Sequence, residues 1–195
     1  MSVTSRRAPG SPQREAILTA ATAIFLRYGF KKTSMDDVAR AAGVSRQGLY
    51  LYFETKDLLF RDALQHLVSH LISAAHAVAE DRNLSHRDRL LGAFEAVHCS
   101  AFHNASREDA VELLQSAQSA AGALLAQLER DLMGIAAALL AEAGVADRWE
   151  EAGVTVAELS EQLLMSAKGI KASVDTLAAY RERMLTAIRI VMRSP

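Results

Sequence analysis

Apolar residues recur at intervals of three and four through most of this chain, and that period leaves little room for any regular structure but helix. Leu125, Leu128, Leu132, Ile135 and Leu139 follow one another at 3,4,3,4 spacing. Val156, Leu159, Leu163, Ala167 and Ile170 repeat the pattern, as do Leu177, Tyr180, Met184, Ile188 and Val191 in the last segment. No run of alternating β-branched residues reads as a strand. Proline occurs three times in 195 residues and half the residues are hydrophobic, so the expected fold class is all-α with a sizeable core.

Helix boundaries are punctuated by caps and glycines. Ser11 is placed to cap a first helix, Pro12 suits its first turn and Gly29 closes it. Ile17, Ala21, Ile24 and Tyr28 share one face of that helix, widened by Leu18 and Phe25. Ser34, with Asp37 three residues on, opens a second helix over Met35–Ala42, and Gly43 supplies the left-handed residue that ends it. Ser45 caps a short third helix, and Thr55 caps a long fourth from Lys56 to about Ala79. Further helices are expected at about 87–104, 107–115, 118–143, 155–172 and 175–193, with AGVADRWEEAGVT as a connection. Residues 1–10 are polar and aperiodic, the composition of a disordered arm.

Charge is uneven. Residues 1–60 carry nine Lys/Arg against five Asp/Glu, a net +4, and the remainder carries −5. A basic first third suggests an anionic partner for that part of the chain. The single cysteine, Cys99, excludes an internal disulfide and fits a reducing, cytoplasmic setting. The longest strongly apolar stretch, Gly134–Ala141, is far too short to cross a membrane. Arg6 and Arg7 ahead of AILTAATAIFL faintly imitate a secretory signal, but Arg14 and Glu15 abut that run and its period is helical. No phosphate loop, nucleophile elbow or metalloprotease signature is present, so no catalytic residue is assigned. The pairs His66/His70 and Cys99/His103 each share a helix face, yet nothing in sequence completes either set, so no metal or other cofactor is expected.

The stretch from Ser34 to Phe53 carries the strongest functional signal. Two short helices joined by Gly43-Val44-Ser45 make a helix-turn-helix. Ala39 is small where the helices cross, Gly43 tolerates positive φ, and Val38, Val44 and Leu49 are placed to pin the pair. Arg46 and Gln47 then stand at the leading end of the second helix, where polar side chains reach base edges in a major groove. Gly48 allows close backbone approach to DNA, and Tyr50 can lie against sugar, phosphate or a thymine methyl. Tyr52 and Phe53 lie further along, between core and DNA backbone, and Lys56 begins the next helix, where its charge suits a phosphate.

TSMDDVARAAGVSRQGLYLYFETKDLLF, preceded by ILTAATAIFLRYGF, resembles the TetR (tetracycline-repressor-like) family of bacterial transcriptional regulators. The residues that carry the likeness, over about 13–60, are Gly29-Phe30, Thr33-Ser34, Ala39, Gly43-Val44-Ser45, Leu49-Tyr50, Tyr52-Phe53, Lys56 and Leu59-Phe60. The resemblance implies an arm at 1–10, a three-helix DNA-binding domain at 11–56 and a larger effector-binding and dimerisation domain at 57–195. By position it puts Arg46, Gln47, Gly48 and Tyr50 near bases, and Thr33, Ser34, Ser45, Tyr52 and Lys56 near phosphates. It also implies repression of a palindromic double-stranded DNA operator, relieved by a small-molecule effector. An activator, or a ligand-independent DNA-organising protein, is the alternative on the same fold.

The last two helices, about 155–193, are the expected homodimer face, with long apolar stripes and small residues such as Ala172, Ala178 and Ala179. Phe94, His98, Phe102, Gln118, Trp149, Met165 and Lys168 are candidates to line an effector pocket, whose ligand class the sequence does not name.

Overall fold

The computed structural model describes residues 11–98 and 120–193. Among them are nine helices: α1 (Pro12–Lys32), α2 (Met35–Ala41), α3 (Arg46–Tyr50), α4 (Lys56–Glu80), α5 (His86–His98), α6 (Ala120–Glu142), α7 (Val145–Trp149), α8 (Val156–Ser173) and α9 (Leu177–Met192). No strand occurs among the described residues, as the apolar period requires. The expected arm, the helix at 107–115 and the continuation of α5 to 104 lie outside them. Two compact units divide the chain. The first runs to Ser69, past the position 56 suggested by the sequence, and includes α6 to Leu125. The second takes up α4 from His70 and α6 from Ala126, with α5 and α7–α9.

In the first unit, Ser11 accepts the backbone N–H of Arg14 at 3.3 Å and starts α1. Ile17, Leu18, Ala21 and Phe25 form its buried face. Tyr28 does not join them. It is 45% exposed, with the Arg27 guanidinium 5.2 Å from its ring centre. At the next residue, Gly29, a φ of 76° and ψ of 165° break the helical path. Phe30, beyond the break, instead meets Phe25 and Phe60 at centroid distances of 6.1 and 4.8 Å. Phe25 and Phe60 pack edge to face at 5.0 Å.

Ser34 and Asp37 form the reciprocal cap of α2. Gly43, at φ 66°, turns the chain, and the next N–H, from Val44, reaches the Ala39 carbonyl at 3.0 Å. Val38, Ala39 and Leu49 are buried where α2 and α3 meet, joined by Phe53 from the turn after α3. Leu59, Phe60 and Ala63 of α4 complete this cluster.

The second unit buries Phe94, Leu132, Ile135, Leu139, Leu163, Tyr180, Met184 and Ile188 in one core, with α9 packed on both α8 and α5. The stripes read from the sequence hold in their interiors and fail at their leading ends, where Leu125 and Leu177 are 37% and 36% exposed. The helix α7 falls in the stretch expected to be a connection, since five residues are too few to show a period. Gly144 and Gly153, both at positive φ, bracket it.

Two arginines fasten helix ends here. Arg89, buried, donates Nε to the Ala79 carbonyl at 2.5 Å and lies 3.1 Å from Glu142 Oε2, while Arg82 pairs with the other oxygen, Oε1. Arg148 donates to three carbonyls, those of Gly144 at 3.1 Å, Met192 at 2.6 Å and Ala143. Trp149 adds an indole N–H bond to the Val191 carbonyl at 2.9 Å. The ends of α6 and α9 are thereby joined through α7. No helix among the described residues is long and apolar enough to cross a membrane. Replacing Arg148 with alanine leaves these carbonyls without their charged donor. Chemical denaturation should show a loss of about 1.5–3 kcal/mol, against little change for Glu150→Ala on the exposed turn beside it.

Candidate nucleic-acid interface

Only five residues long, α3 cannot hold itself together by helix propensity. Leu49, fully buried, anchors one side of it. Ser45 accepts the Gly48 N–H at 2.9 Å at its start, and Leu51 closes its end on the carbonyls of Gln47 and Gly48. The side turned away from Leu49 presents Arg46, Gln47 and Tyr50 to solvent. The Arg46 side chain is 64% exposed, its guanidinium carbon lies 5.8 Å from the Tyr50 ring centre, and Nη1 donates to Asp36 Oδ2 at 2.9 Å. A planar guanidinium, an amide and a phenol on one exposed helix edge can donate to, accept from and stack on nucleic-acid groups.

The sequence drew attention to five further residues for phosphate contact, and the structure places them unequally. Ser45 is exposed and Tyr52 is partly buried against the first core. Ser34 is exposed, but its hydroxyl donates to Asp37 Oδ2 at 2.6 Å and accepts the Asp37 N–H at 3.2 Å. The Ser34 hydroxyl, and then its backbone N–H at 3.0 Å from the same Oδ2, with Arg40 nearby, hold the Asp37 carboxyl below its ordinary pKa, so a fixed negative charge stands at this corner. Thr33 is 3% exposed and donates its hydroxyl to the Gly29 carbonyl at 2.7 Å. Lys56 donates its ammonium to the carbonyls of Phe30 and Thr33 at 3.0 and 3.1 Å, over the Phe30 ring at 4.2 Å. The side chains of Thr33 and Lys56 are therefore committed inside the first unit. Asp36, which the sequence reading passed over, touches Arg46 from a position ten residues earlier. Nothing in the sequence spacing announces that contact, because the turn at Gly43 creates it.

Of the effector candidates, Phe94 and His98 come together on α5, their rings stacked at 6.1 Å, and Tyr180 of α9 stacks on His98 at 6.3 Å. The carbonyl of Phe94 lies 3.2 Å from His98 Nδ1. Burial, only partly offset by that carbonyl, pushes the His98 pKa down to about 4. Trp149 is engaged with α9 as described, Met165 is 47% exposed, and Lys168 pairs with Glu129 at 2.7 Å. Phe102, Gln118, Cys99 and His103 lie outside the described residues. His66 faces Glu15 through Nδ1 at 3.1 Å and Thr19 through Nε2 at 3.3 Å. Among the described residues, no three His, Cys, Asp or Glu side chains stand together as metal ligands.

Residues 17–63 match the family described as bacterial regulatory proteins, tetR family. The chain is 34% identical over 90 residues to the HTH-type transcriptional activator FasR of Mycolicibacterium smegmatis, covering 46% of this chain and 41% of that protein. It is 34% identical over 71 residues to the HTH-type transcriptional regulator RutR of Escherichia coli, covering 36% of this chain and 34% of that one. The chain thus spans about two fifths or less of these relatives' lengths. Among solved structures, a TetR-like transcriptional regulator from Rhodococcus sp. RHA1 is similar with a TM-score of 0.61 and 25% identity, over 93% of this chain and 96% of the other.

Two outcomes follow from the geometry. Lys56→Ala should lower the stability of the first unit by about 1.5–3 kcal/mol, because two carbonyls lose a charged donor. A thermal melt in the absence of DNA reads this directly, and an unchanged melting temperature would return Lys56 to a purely surface role. His98 takes up its proton near pH 6.5 when unfolded and near 4 when folded. Its contribution is therefore fully present above about pH 6.5 and is lost as pH falls toward 4, by up to about 3 kcal/mol. Urea titrations across that range should show the decline in the wild type and a flatter profile in His98→Gln.

Proposed function

We propose, from the membership of the tetR family of bacterial regulatory proteins that residues 17–63 give this chain, that it is a sequence-specific DNA-binding transcriptional regulator acting as a homodimer. The observation that carries this reading is the exposed edge of α3, where Arg46, Gln47 and Tyr50 project from a helix anchored by Leu49. In a major groove, Arg46 has the geometry for O6 and N7 of guanine and Gln47 for N6 and N7 of adenine, each worth about 1–3 kcal/mol of discrimination. Ser34, Ser45 and Tyr52 would set the helix against phosphates, with Gly48 leaving the backbone free to approach.

A single five-residue helix reads too few base pairs to select a site, so the reading requires two copies on a palindrome with half-sites about 34–36 Å apart. The faces of α8 and α9 are proposed to join them. Between these helices lies an open groove of about 600 Å³ lined by Ser166, Ile170, Arg183, Ala187 and Ile190, the last 61% exposed. An apolar side chain this exposed, beside small residues, suits a self-complementary contact.

A small-molecule effector is proposed to bind in the second unit near Phe94 and His98 and to release the operator. Coupling of the usual size, about 1–3 kcal/mol, weakens DNA binding about 5- to 150-fold. Repression is the sign implied by the tetracycline-repressor resemblance. Activation is the second reading, favoured by the likeness to the activator FasR.

Selection from random duplex DNA, followed by anisotropy titration at two salt concentrations, tests the central claim. A palindromic consensus bound by two chains is expected. Salt-sensitive binding without a consensus would point to a DNA-organising protein. Arg46→Ala should relax the preference at one base pair in each half-site, and Ile190→Glu should yield a folded monomer by light scattering with weakened operator binding.

A further inference from the structure

The cation best placed to read a base, Arg46, is already paired with a carboxylate. Nη1 of Arg46 donates to Asp36 Oδ2 at 2.9 Å, between side chains 64% and 47% exposed. The two residues belong to different helices, and the turn at Gly43 brings the first turn of α2 beside the start of α3. Asp37, the adjacent acid, is committed to the Ser34 cap through Oδ2. Asp36 is therefore not the capping acid of α2, and its carboxylate acts on Arg46.

From this geometry we propose that Asp36 is the positioning residue for Arg46 and biases it toward a guanine edge over a phosphate. The inference rests on the DNA-binding reading above. With Nη1 held, the Nε–Nη2 edge of the guanidinium remains, two parallel N–H donors matched to O6 and N7 of guanine. The Tyr50 ring, 5.8 Å from the guanidinium carbon, limits the arc that the group can sweep. A phosphate approaching Arg46 meets a like charge in Asp36 and must displace it or sit beside it. A guanine edge carries no net charge, so its O6 and N7 acceptors meet a much weaker repulsion. The pair thus penalises non-specific backbone contact while leaving the specific contact open, a discrimination made by repulsion as much as by attraction.

The test compares base selection and salt-dependent affinity for wild type, Asp36→Asn, Asp36→Glu, Arg46→Ala and the double variant Asp36→Asn/Arg46→Ala, all checked for unchanged helicity. Asp36→Asn should reduce the guanine preference at one position of each half-site by about two- to fivefold, the range of an exposed ion pair. It should also tighten binding to unrelated duplex and keep the other positions intact, and Asp36→Glu should recover part of the preference. In the Arg46→Ala background, Asp36→Asn should change no base preference. An unchanged profile in Asp36→Asn, or an equal loss at every position, overturns the proposal and leaves Asp36 a helix-end charge. A change that persists without Arg46 overturns it differently, by making Asp36 itself a reader of a base. If wild type selects no consensus, the DNA-reading proposal falls with it, and that failure is visible in the wild-type arm alone.

Discussion

The ammonium of Lys56, set on the carbonyls of Phe30 and Thr33 and over the Phe30 ring, closes the first unit. Those carbonyls lie at the end of α1, beyond the kink at Gly29, where the last carbonyls of a helix have no intrahelical partner. A lysine at the first position of α4 supplies what the broken helix lacks. The buried hydroxyl of Thr33, bonded to the Gly29 carbonyl, fixes the same corner. Everything between Thr33 and Lys56, including α2 and α3, is therefore a segment tied at both ends. The exposed edge of α3 owes its orientation to that closure and to Leu49 and Phe53 beneath it, since a five-residue helix brings almost none of its own.

Within that segment Gly48 has a local explanation. A side-chain carbon at this position would lie 3.0 Å from Ser45 Oγ, the atom that accepts the Gly48 N–H. An alanine would have to push the capping hydroxyl aside by a few tenths of an ångström. Glycine costs about 1 kcal/mol of helix propensity, but here it keeps the cap undistorted. The proposed close approach to DNA would use a smooth surface that the cap already requires.

What the sequence disclosed follows a physical line. Caps and glycines act on one or two residues, so Ser11, Ser34, Ser45 and Gly43 were legible as punctuation and take those roles, while Gly29, expected to close α1, kinks it and the helix runs on to Lys32. Apolar stripes were legible in their interiors because period and burial coincide there. They failed at Tyr28, Leu125 and Leu177, where a helix breaks or begins and its neighbours fall away. The exposed residues of α3 were legible through the turn before them. The commitments of Thr33 and Lys56 and the pairing of Asp36 with Arg46 were not, because each depends on a contact across elements that no spacing encodes. The candidates for lining an effector pocket were the hardest to place from sequence. An aromatic or methionine on a helix can pack, bond through a polar edge or face solvent at the same sequence cost: Phe94 is buried, Trp149 donates to the Val191 carbonyl and Met165 is exposed.

Those cross-element contacts also change what the positive charge of the first sixty residues means. Arg14 pairs with Asp62 at 2.6 Å, with its guanidinium near the Phe53 ring, and so belongs to the fold. Lys56 serves the end of α1, and Arg46 is shared with Asp36. The fixed carboxylate of Asp37 stands beside Ser34, which is itself a candidate for phosphate contact. Counterion release scales with the phosphates a protein neutralises, so cations committed inside a fold add little to it. With these three cations engaged, the surface draws less on the backbone of any duplex than the count of Lys and Arg suggests. On the proposed reading, more of the binding would then come from base edges and from the doubling of sites in a dimer, the two terms that distinguish one DNA sequence from another.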